Sequence, residues 1–328
     1  MLEALSNAIE ENSVVLFLGG TDVGKTTLIR ELHQKIGGEV IDADVGQSSI
    51  GPPACVSRGV YRSSTAPEIK ASYFVGDISP RGNFLQVLTG IQHCLKTAKR
   101  PCLIDTDGYI ADGAARAFKS EVINLVQPDA LVLLQRGDEL NYYKLYAQKK
   151  IKVLSIRVKH PGLKSREERI KAREESFRKY FQNAKLQSWS LKDLKFERTL
   201  LGHGEPLDCS LLSNMLGCKV NAAWKLGEEA ILIVDGYALS LGTAKRALSV
   251  EFIHLVNASE IQHLLVGCLF EGRLQGLGIL KSISEERVKV LTTAEQATVL
   301  QIGALHIFED GRHERKTPVA IELREMIE

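Results

Sequence analysis

Near the start of the chain the run Gly19-Gly20-Thr21-Asp22-Val23-Gly24-Lys25-Thr26-Thr27 has the residue types and spacing needed to grip a string of phosphates. Its glycines let backbone N–H groups close around phosphate oxygens, Lys25 reaches the β- and γ-phosphates, and the Thr26 hydroxyl meets Mg²⁺. Gly20 to Thr27 are therefore the expected nucleotide-binding residues. Two carboxylates, Asp42 and Asp44, close the apolar run Val40-Ile41 and stand two residues apart, so both address one face beyond a strand end. A carboxylate near Lys25 and Mg²⁺ takes a proton from an attacking hydroxyl or orients a metal-bound water. A third, Asp105, heads Asp105-Thr106-Asp107-Gly108 after another apolar run. Many phosphate-loop proteins hold Mg²⁺ through water there, or place a γ-phosphate switch.

Two further stretches supply donors. Between the carboxylate strands lies Gly76-Asp77-Ile78-Ser79-Pro80-Arg81-Gly82-Asn83, where Gly and Pro force a turn and Ser79, Arg81 and Asn83 offer hydrogen bonds to a phosphate or nucleotide. Ser165 and Glu168 have the offset of a helix capping box, and Arg166, Arg169 and Arg173 then fall on one helical face beside an apolar stripe of Ile170, Phe177 and Phe181. Phosphoryl transfer needs such cations, because charge accumulates on the equatorial oxygens in the transition state.

The loop alone does not choose an acceptor, since kinases, GTPases and ATP-driven machines share it. A GTPase reads guanine with Asn-Lys-x-Asp after a later strand, and the corresponding Leu133-Leu134-Gln135-Arg136-Gly137-Asp138 does not supply it.

These residues need strands that end at one edge. Val14–Leu18, Val40–Ala43, Ser72–Val75, Cys102–Ile104, Ala130–Leu134 and Val153–Ile156 alternate with helical patterns, which predicts a parallel sheet covered by helices on both faces. Past residue 203 the pattern changes to closely spaced strands, Ala230–Val234, Leu264–Phe270, Leu274–Ile283 and Val288–Leu291, joined by short turns. The expected architecture is an α/β P-loop NTPase domain over 1–203, with an Arg-rich lid at about 160–182, and a smaller β-rich C-terminal domain over 204–328.

Bulk properties fit that picture. A chain of 328 residues with 44% hydrophobic and 25% charged content reads as globular. No apolar run approaches the ~20 residues that span a bilayer, and the N-terminus lacks a signal-peptide core, so a cytoplasmic protein without membrane association is expected. The six cysteines are scattered without a C-x-x-C pair, which predicts reduced, buried thiols and no structural zinc. Net charge is only +2, yet the segment 144–198 holds seventeen Lys/Arg against six Asp/Glu, a local basicity suited to a polyanion or to handling phosphate.

Taken in order, Gly20–Thr27, Asp42-Ala43-Asp44-Val45-Gly46-Gln47, the Gly76–Asn83 turn with Ser79-Pro80, Asp105-Thr106-Asp107-Gly108-Tyr109 and the Arg-rich segment ending in Tyr180-Phe181 resemble the polynucleotide 5′-hydroxyl kinases. That family includes the eukaryotic RNA kinase of the pre-mRNA cleavage and tRNA-splicing machinery, the ribosomal-RNA processing kinases and archaeal relatives. The resemblance continues through Leu265-Val266-Gly267 and Gly276–Leu280, so it covers nearly the whole chain. It implies ATP as phosphoryl donor, Mg²⁺, and RNA or DNA 5′-hydroxyl ends as acceptor. Lys25 and Thr26 would hold phosphates and metal, with Asp44 and Asp105 also at the metal. Asp44 would be the general base, with Asp42 second, and Gln47 would help place metal or substrate. Gly76, Ser79, Pro80 and Asn83 would form a clasp for the 5′ end, Arg169 would be the lid's transition-state cation, and Arg173 its neighbour. Tyr109 stands where family members often have Trp, and would stack on the terminal base. The chain begins thirteen residues before its first strand, so the N-terminal domain of eukaryotic members and its adenine contacts are expected to be missing, which implies loose nucleotide preference. An ATP-holding assembly subunit that transfers nothing is the rival expectation, and no protein partner is named by the sequence.

Overall fold

The computed structural model describes residues 2–62, 66–159, 162 and 164–315. Backbone contacts divide the chain into two compact units, Met1–Glu175 and Ser176–Glu328.

In the first unit the elements run α1 Leu2–Ala8, β1 Val14–Gly19, α2 Lys25–Ile36, β2 Glu39–Ala43, β3 Cys55–Val60, β4 Glu68–Phe74, α3 Phe84–Leu95, β5 Cys102–Thr106, α4 Gly113–Val126, β6 Ala130–Gln135 and β7 Lys152–Arg157. Helix α5, Arg166–Phe181, begins in this unit. One sheet has the order β4-β3-β2-β5-β1-β6-β7. Strands β2, β5, β1, β6 and β7 are parallel, while β3 and β4 pair antiparallel at one edge. Strand β1 is buried throughout, as a central strand covered on both faces must be. Its side chains alternate between two cores: Val15 and Phe17 pack with Leu28, Ile29 and Leu32 of α2, while Leu16 and Leu18 pack with Val87 and Ile91 of α3 and Phe118 and Val122 of α4.

Every strand expected in this part of the sequence is present, and one more, β3, was not expected. Arg58 interrupts its apolar pattern, but the guanidinium is buried against Glu39 of β2 at 2.5 Å, so a charged residue sits inside the sheet.

The second unit holds β8 Lys185–Ser190, β9 Lys195–Glu197, β10 Glu205–Pro206, α6 Cys209–Leu216, β11 Lys219–Leu226, β12 Glu229–Asp235, α7 Leu241–Leu248, β13 Phe252–Asn257, α8 Ala258–Ile261, β14 Leu264–Phe270, β15 Arg273–Ile283, β16 Arg287–Thr292, β17 Val299–Ile307 and β18 His313–Arg315. They form a four-stranded sheet, β10-β11-β12-β13, and a larger one ordered β18-β17-β14-β15-β16-β8, with β9 paired to β17. The division at 175/176 therefore differs from the change of pattern seen at 203/204. Strands β8 and β9 direct their backbone hydrogen bonds to β16 and β17, which assigns 185–197 to the second unit.

The described cysteines are all free thiols, five of them buried. Among the described residues no helix is long and apolar enough to cross a membrane.

Candidate active site

The phosphate loop leaves β1 and enters α2, whose N-terminus faces a cavity of about 400 Å³. Residues Thr21 to Thr27, Asp44, Gln47, Gly162 and Lys164 line it. Backbone N–H groups at a helix start favour anions there. Lys25 is buried and its ammonium donates to the carbonyls of Gly19 at 2.9 Å and Gly20 at 3.0 Å.

Strands β1, β5 and β2 lie side by side, and their register sets Phe17 and Asp42 beside Asp105. The Thr26 hydroxyl donates to Asp105 Oδ2 at 2.6 Å, while Asp105 Oδ1 is buried without a hydrogen-bond partner. Burial raises the Asp105 carboxyl above its ordinary range, opposed by the Lys25 charge and the Thr26 hydrogen bond. A hydroxyl next to an orphaned carboxylate oxygen at the foot of a phosphate cradle fits a magnesium ion held partly through water. No cluster of three or more His, Cys, Asp or Glu ligands exists among the described residues. An ion here would thus take most of its oxygens from phosphate and water, as Mg²⁺ commonly does.

Asp42 and Asp44 have different surroundings although they are two residues apart. Asp42 is buried, and its Oδ2 accepts from the Ser49 N–H, the Ser49 hydroxyl and the Ile50 N–H, while Oδ1 accepts from the Asp44 N–H. It anchors the 44–50 loop, with both of its oxygens engaged by that loop's own donors. Asp44 is half-buried in the cavity wall, and Gly46 and Gln47 N–H groups both donate to one oxygen, Oδ1. Burial raises its carboxyl, Asp107 adds to the rise, and Lys25 opposes it.

Gly46 lies so close to the Ile78 carbonyl that a Cβ would stand 2.8 Å from it, which brings the Gly76–Asn83 turn against the Asp44–Gln47 loop. Inside that turn Asp77 is fully buried and accepts from the Ser79 N–H at 3.1 Å and from Asn83 Nδ2 at 3.0 Å. Asn83 Nδ2 also donates to the Ser79 carbonyl, and Pro80 accepts from the Asn83 N–H. The Asn83 side chain therefore holds the turn's own shape, and Asp77, which sequence reasoning passed over, organises it.

The Asp105–Tyr109 turn packs on the phosphate loop, since a Cβ at Gly108 would stand 2.6 Å from the Thr21 nitrogen. Behind it Lys119 is fully buried and donates to Asp107 Oδ2 at 2.7 Å. Lys119 was not expected, but it lies on the apolar stripe of α4 with Ala115, Phe118, Val122 and Val126, and a lysine on such a stripe is the signal that could have found it. The Tyr109 ring stacks with Phe84 at 6.3 Å, Phe84 stacks with Phe118 at 4.6 Å, and the Tyr109 hydroxyl is fixed by Asp112 at 2.7 Å.

Helix α5 begins with the expected capping box, Ser165 N–H on Glu168 and Glu168 N–H on Ser165. Phe177 and Phe181 of its apolar stripe are buried, and Ile170 is half-buried. Positions 160, 161 and 163 of the expected lid lie outside the described residues. Arg169 Nη1 donates to Asp22 Oδ2 at 3.2 Å, so helix α5 and the phosphate loop touch. Burial lowers the Arg173 guanidinium, the neighbouring Arg169 adds to this, and the Asp44 charge opposes it. Arg136, where a guanine reader would stand, instead donates to the Thr21 and Asp22 carbonyls at 2.9 and 3.1 Å.

The family model described as mRNA cleavage and polyadenylation factor CLP1 P-loop matches residues 19–183. The chain is 30% identical to a polyribonucleotide 5′-hydroxyl-kinase of Pyrococcus furiosus, covering 93% of this chain and 90% of that protein. A protein of the same name from Methanocaldococcus jannaschii is 28% identical over 90% of this chain and 88% of its own. A chain of the solved wild-type Clp1p–Pcf11p complex has the same fold, with a TM-score of 0.59 at 14% identity over 93% of this chain and 76% of that one. Sequence order, sheet topology and these matches agree: the chain belongs to the polynucleotide 5′-hydroxyl kinase family built on the CLP1 P-loop domain.

Proposed function

We propose that the protein transfers the γ-phosphate of ATP to the 5′-hydroxyl end of RNA, and of DNA where the clasp admits it. One observation carries this reading: the wall of a single cavity holds the phosphate loop, the carboxylate Asp44 and the lid residue Lys164. A nucleotide-binding scaffold needs the loop alone, whereas phosphoryl transfer needs all three.

In this reading the loop N–H groups and Lys25 hold the β- and γ-phosphates. Thr26 and Asp105 would hold Mg²⁺, which when bound neutralises phosphate charge. The acceptor's 5′-oxygen attacks the γ-phosphorus in line, the bond to the β–γ bridging oxygen breaks, and ADP leaves. Asp44 takes the hydroxyl proton, and burial, which raises its carboxyl, makes it a stronger base than an exposed aspartate. The Gly76–Asn83 turn, braced by Asp77, orients the 5′ end, with Tyr109 as a stacking face for the terminal base. Arg169 and Arg173 meet the charge that grows on the transferring group. In this reading the acceptor grip is mostly phosphate and stacking contacts, and affinity for oligonucleotide should fall steeply with salt.

The test is transfer of labelled phosphate from γ-labelled ATP to matched 5′-hydroxyl RNA and DNA oligonucleotides. Label on a 5′ end is expected, reduced about 10²–10³-fold by Lys25→Ala and about 10²–10⁴-fold by Asp44→Ala. Tight ATP binding with no label on either acceptor would sink the kinase reading in favour of an ATP-holding subunit.

A further inference from the structure

A carboxylate inside a phosphate cradle has the wrong charge for its ligand, so its partners say what it is for. Asp22 occupies the middle of the loop with φ 57°, left-handed backbone that Asp and Asn tolerate better than most residues. Its Oδ2 accepts from the Lys164 N–H at 3.3 Å and from Arg169 Nη1 at 3.2 Å, and that same Nη1 donates to the Lys164 carbonyl at 2.7 Å. Carboxylate, Lys164 backbone and guanidinium thus close a small ring. On the far side Arg136 holds the carbonyls of Thr21 and Asp22, so the residue is gripped by its main chain as well. The contacts are sheltered, with side-chain exposures of 26% for Arg169 and 12% for Asp22.

Two consequences follow from this ring. The guanidinium cancels the Asp22 charge, so the cradle still attracts phosphate. Both described bonds of Arg169 use Nη1, which leaves Nε and Nη2 with donors for an oxyanion. Lys164, whose backbone completes the ring, already lines the cavity.

We propose that Asp22 is a positioning residue that ties the lid to the phosphate loop, fixing the Lys164–Arg169 turn so that the Lys164 ammonium and the open edge of Arg169 meet the γ-phosphoryl group. Asp22 acts through Arg169, and Lys164 is added to the groups that touch substrate. The assignment rests on the kinase reading. It differs from nucleotide binding by the loop, because it predicts an effect on transfer that depends on the lid arginine.

Asp22→Gly removes the carboxylate without straining the left-handed backbone, and Asp22→Asn keeps an acceptor while losing the charge. Steady-state transfer to a 5′-hydroxyl oligonucleotide is measured for wild type, both variants, Arg169→Ala and the Asp22→Gly/Arg169→Ala double variant. The expected result for Asp22→Gly is a kcat at least about tenfold lower with the KM for ATP within about threefold of wild type, Asp22→Asn falling between. In the Arg169→Ala background the same change should cost less than about twofold. Equal loss in both backgrounds, or a KM for ATP that rises as much as kcat falls, would overturn the tie and make Asp22 a part of the loop's own shape. Hydrogen exchange at the Lys164 amide gives a readout that needs no activity, and it should quicken at least about tenfold in Asp22→Gly. Protected exchange in a wild type that transfers no phosphate would refute the kinase reading alone. Unchanged exchange in Asp22→Gly would refute the tie alone.

Discussion

The two units bury very different things. Among the described residues, the buried charged side chains Lys25, Glu39, Asp42, Arg58, Asp77, Asp105, Asp107 and Lys119 all belong to the first unit, whereas the second buries Thr292, Gln301 and His306 as its polar residues. The second unit's cores are mainly aliphatic, with Phe196 and Trp224 as buried aromatics. Burying a charge costs free energy unless it is paired. A fold that keeps several carboxylates at the ends of adjacent strands has therefore given up stability at that edge for chemistry. The Glu39–Arg58 pair joins β2 to β3 and lines no part of the cavity.

The contrast breaks first at Asp44. Asp44→Asn keeps the size and one acceptor oxygen of the side chain, so thermal unfolding should stay near wild type while kcat falls about 10²–10⁴-fold. A comparable fall in stability would make Asp44 another loop anchor like Asp42.

Next comes a matched pair of core variants. Lys119→Met should destabilise the first unit by about 3–5 kcal/mol, since Asp107 is left buried without its partner. Ile233→Ala in the second unit should cost about 2–5 kcal/mol through an apolar cavity. Urea unfolding tells them apart when the partner is also changed: Lys119→Met with Asp107→Leu should recover most of the loss without recovering transfer. Failure to recover stability would mean that the pair is structural.

A smaller effect concerns pH. Burial, reinforced by the neighbouring carboxylates Asp105 and Asp44, raises the Asp42 carboxyl, and burial also raises Asp105. A raised carboxyl binds its proton more tightly when folded, so this stability is fully present below the unfolded value of about 4 and is lost as pH rises through the folded one. His33, lowered chiefly by burial, works in the opposite sense. The difference between wild type and Asp42→Asn isolates the carboxyl: the variant should lose about 1–2 kcal/mol less between about pH 5 and 8. Parallel pH profiles would show that Asp42 is ionised in the folded chain.

The smallest change is at the aromatic stack. Tyr109→Ala should raise the oligonucleotide KM about five- to tenfold through the loss of one stacking face. Tyr109→Phe, which loses only the bond to Asp112, should change it less than about threefold. Equal effects would mean that the hydroxyl, and not the ring, serves the substrate.

What could be read from the sequence follows the same division. Val14–Gly19 and the phosphate loop were legible because a buried central strand is a continuous apolar run and the loop's spacing is fixed by phosphate geometry. The Gly76–Asn83 turn, the capping box of α5 and the order of strand-end carboxylates were legible for the same local reasons. Asp77, Arg136 and Lys119 were not, because each draws its meaning from folded partners: Asp77 from Ser79 and Asn83 folding back on it, Arg136 from Thr21 and Asp22, Lys119 from Asp107 in the turn that precedes α4. Strand β3 was hidden by Arg58, whose partner Glu39 lies on another strand. The two boundaries differ because β8 and β9 take their place from strands far along the chain, β16 and β17, and nothing local in 185–197 names those partners. The choice between Asp42 and Asp44 needed the loop conformation, since alternation alone puts both on one face.

The left-handed backbone at Asp22 has an evolutionary consequence. Asn and Gly, each a single-nucleotide change from Asp, are also the residues that accept this conformation most readily. Drift at this codon therefore meets little resistance from the fold, yet each step weakens or deletes the carboxylate that the lid arginine grips. A lineage could in this way keep its nucleotide and slow its transfer by one substitution.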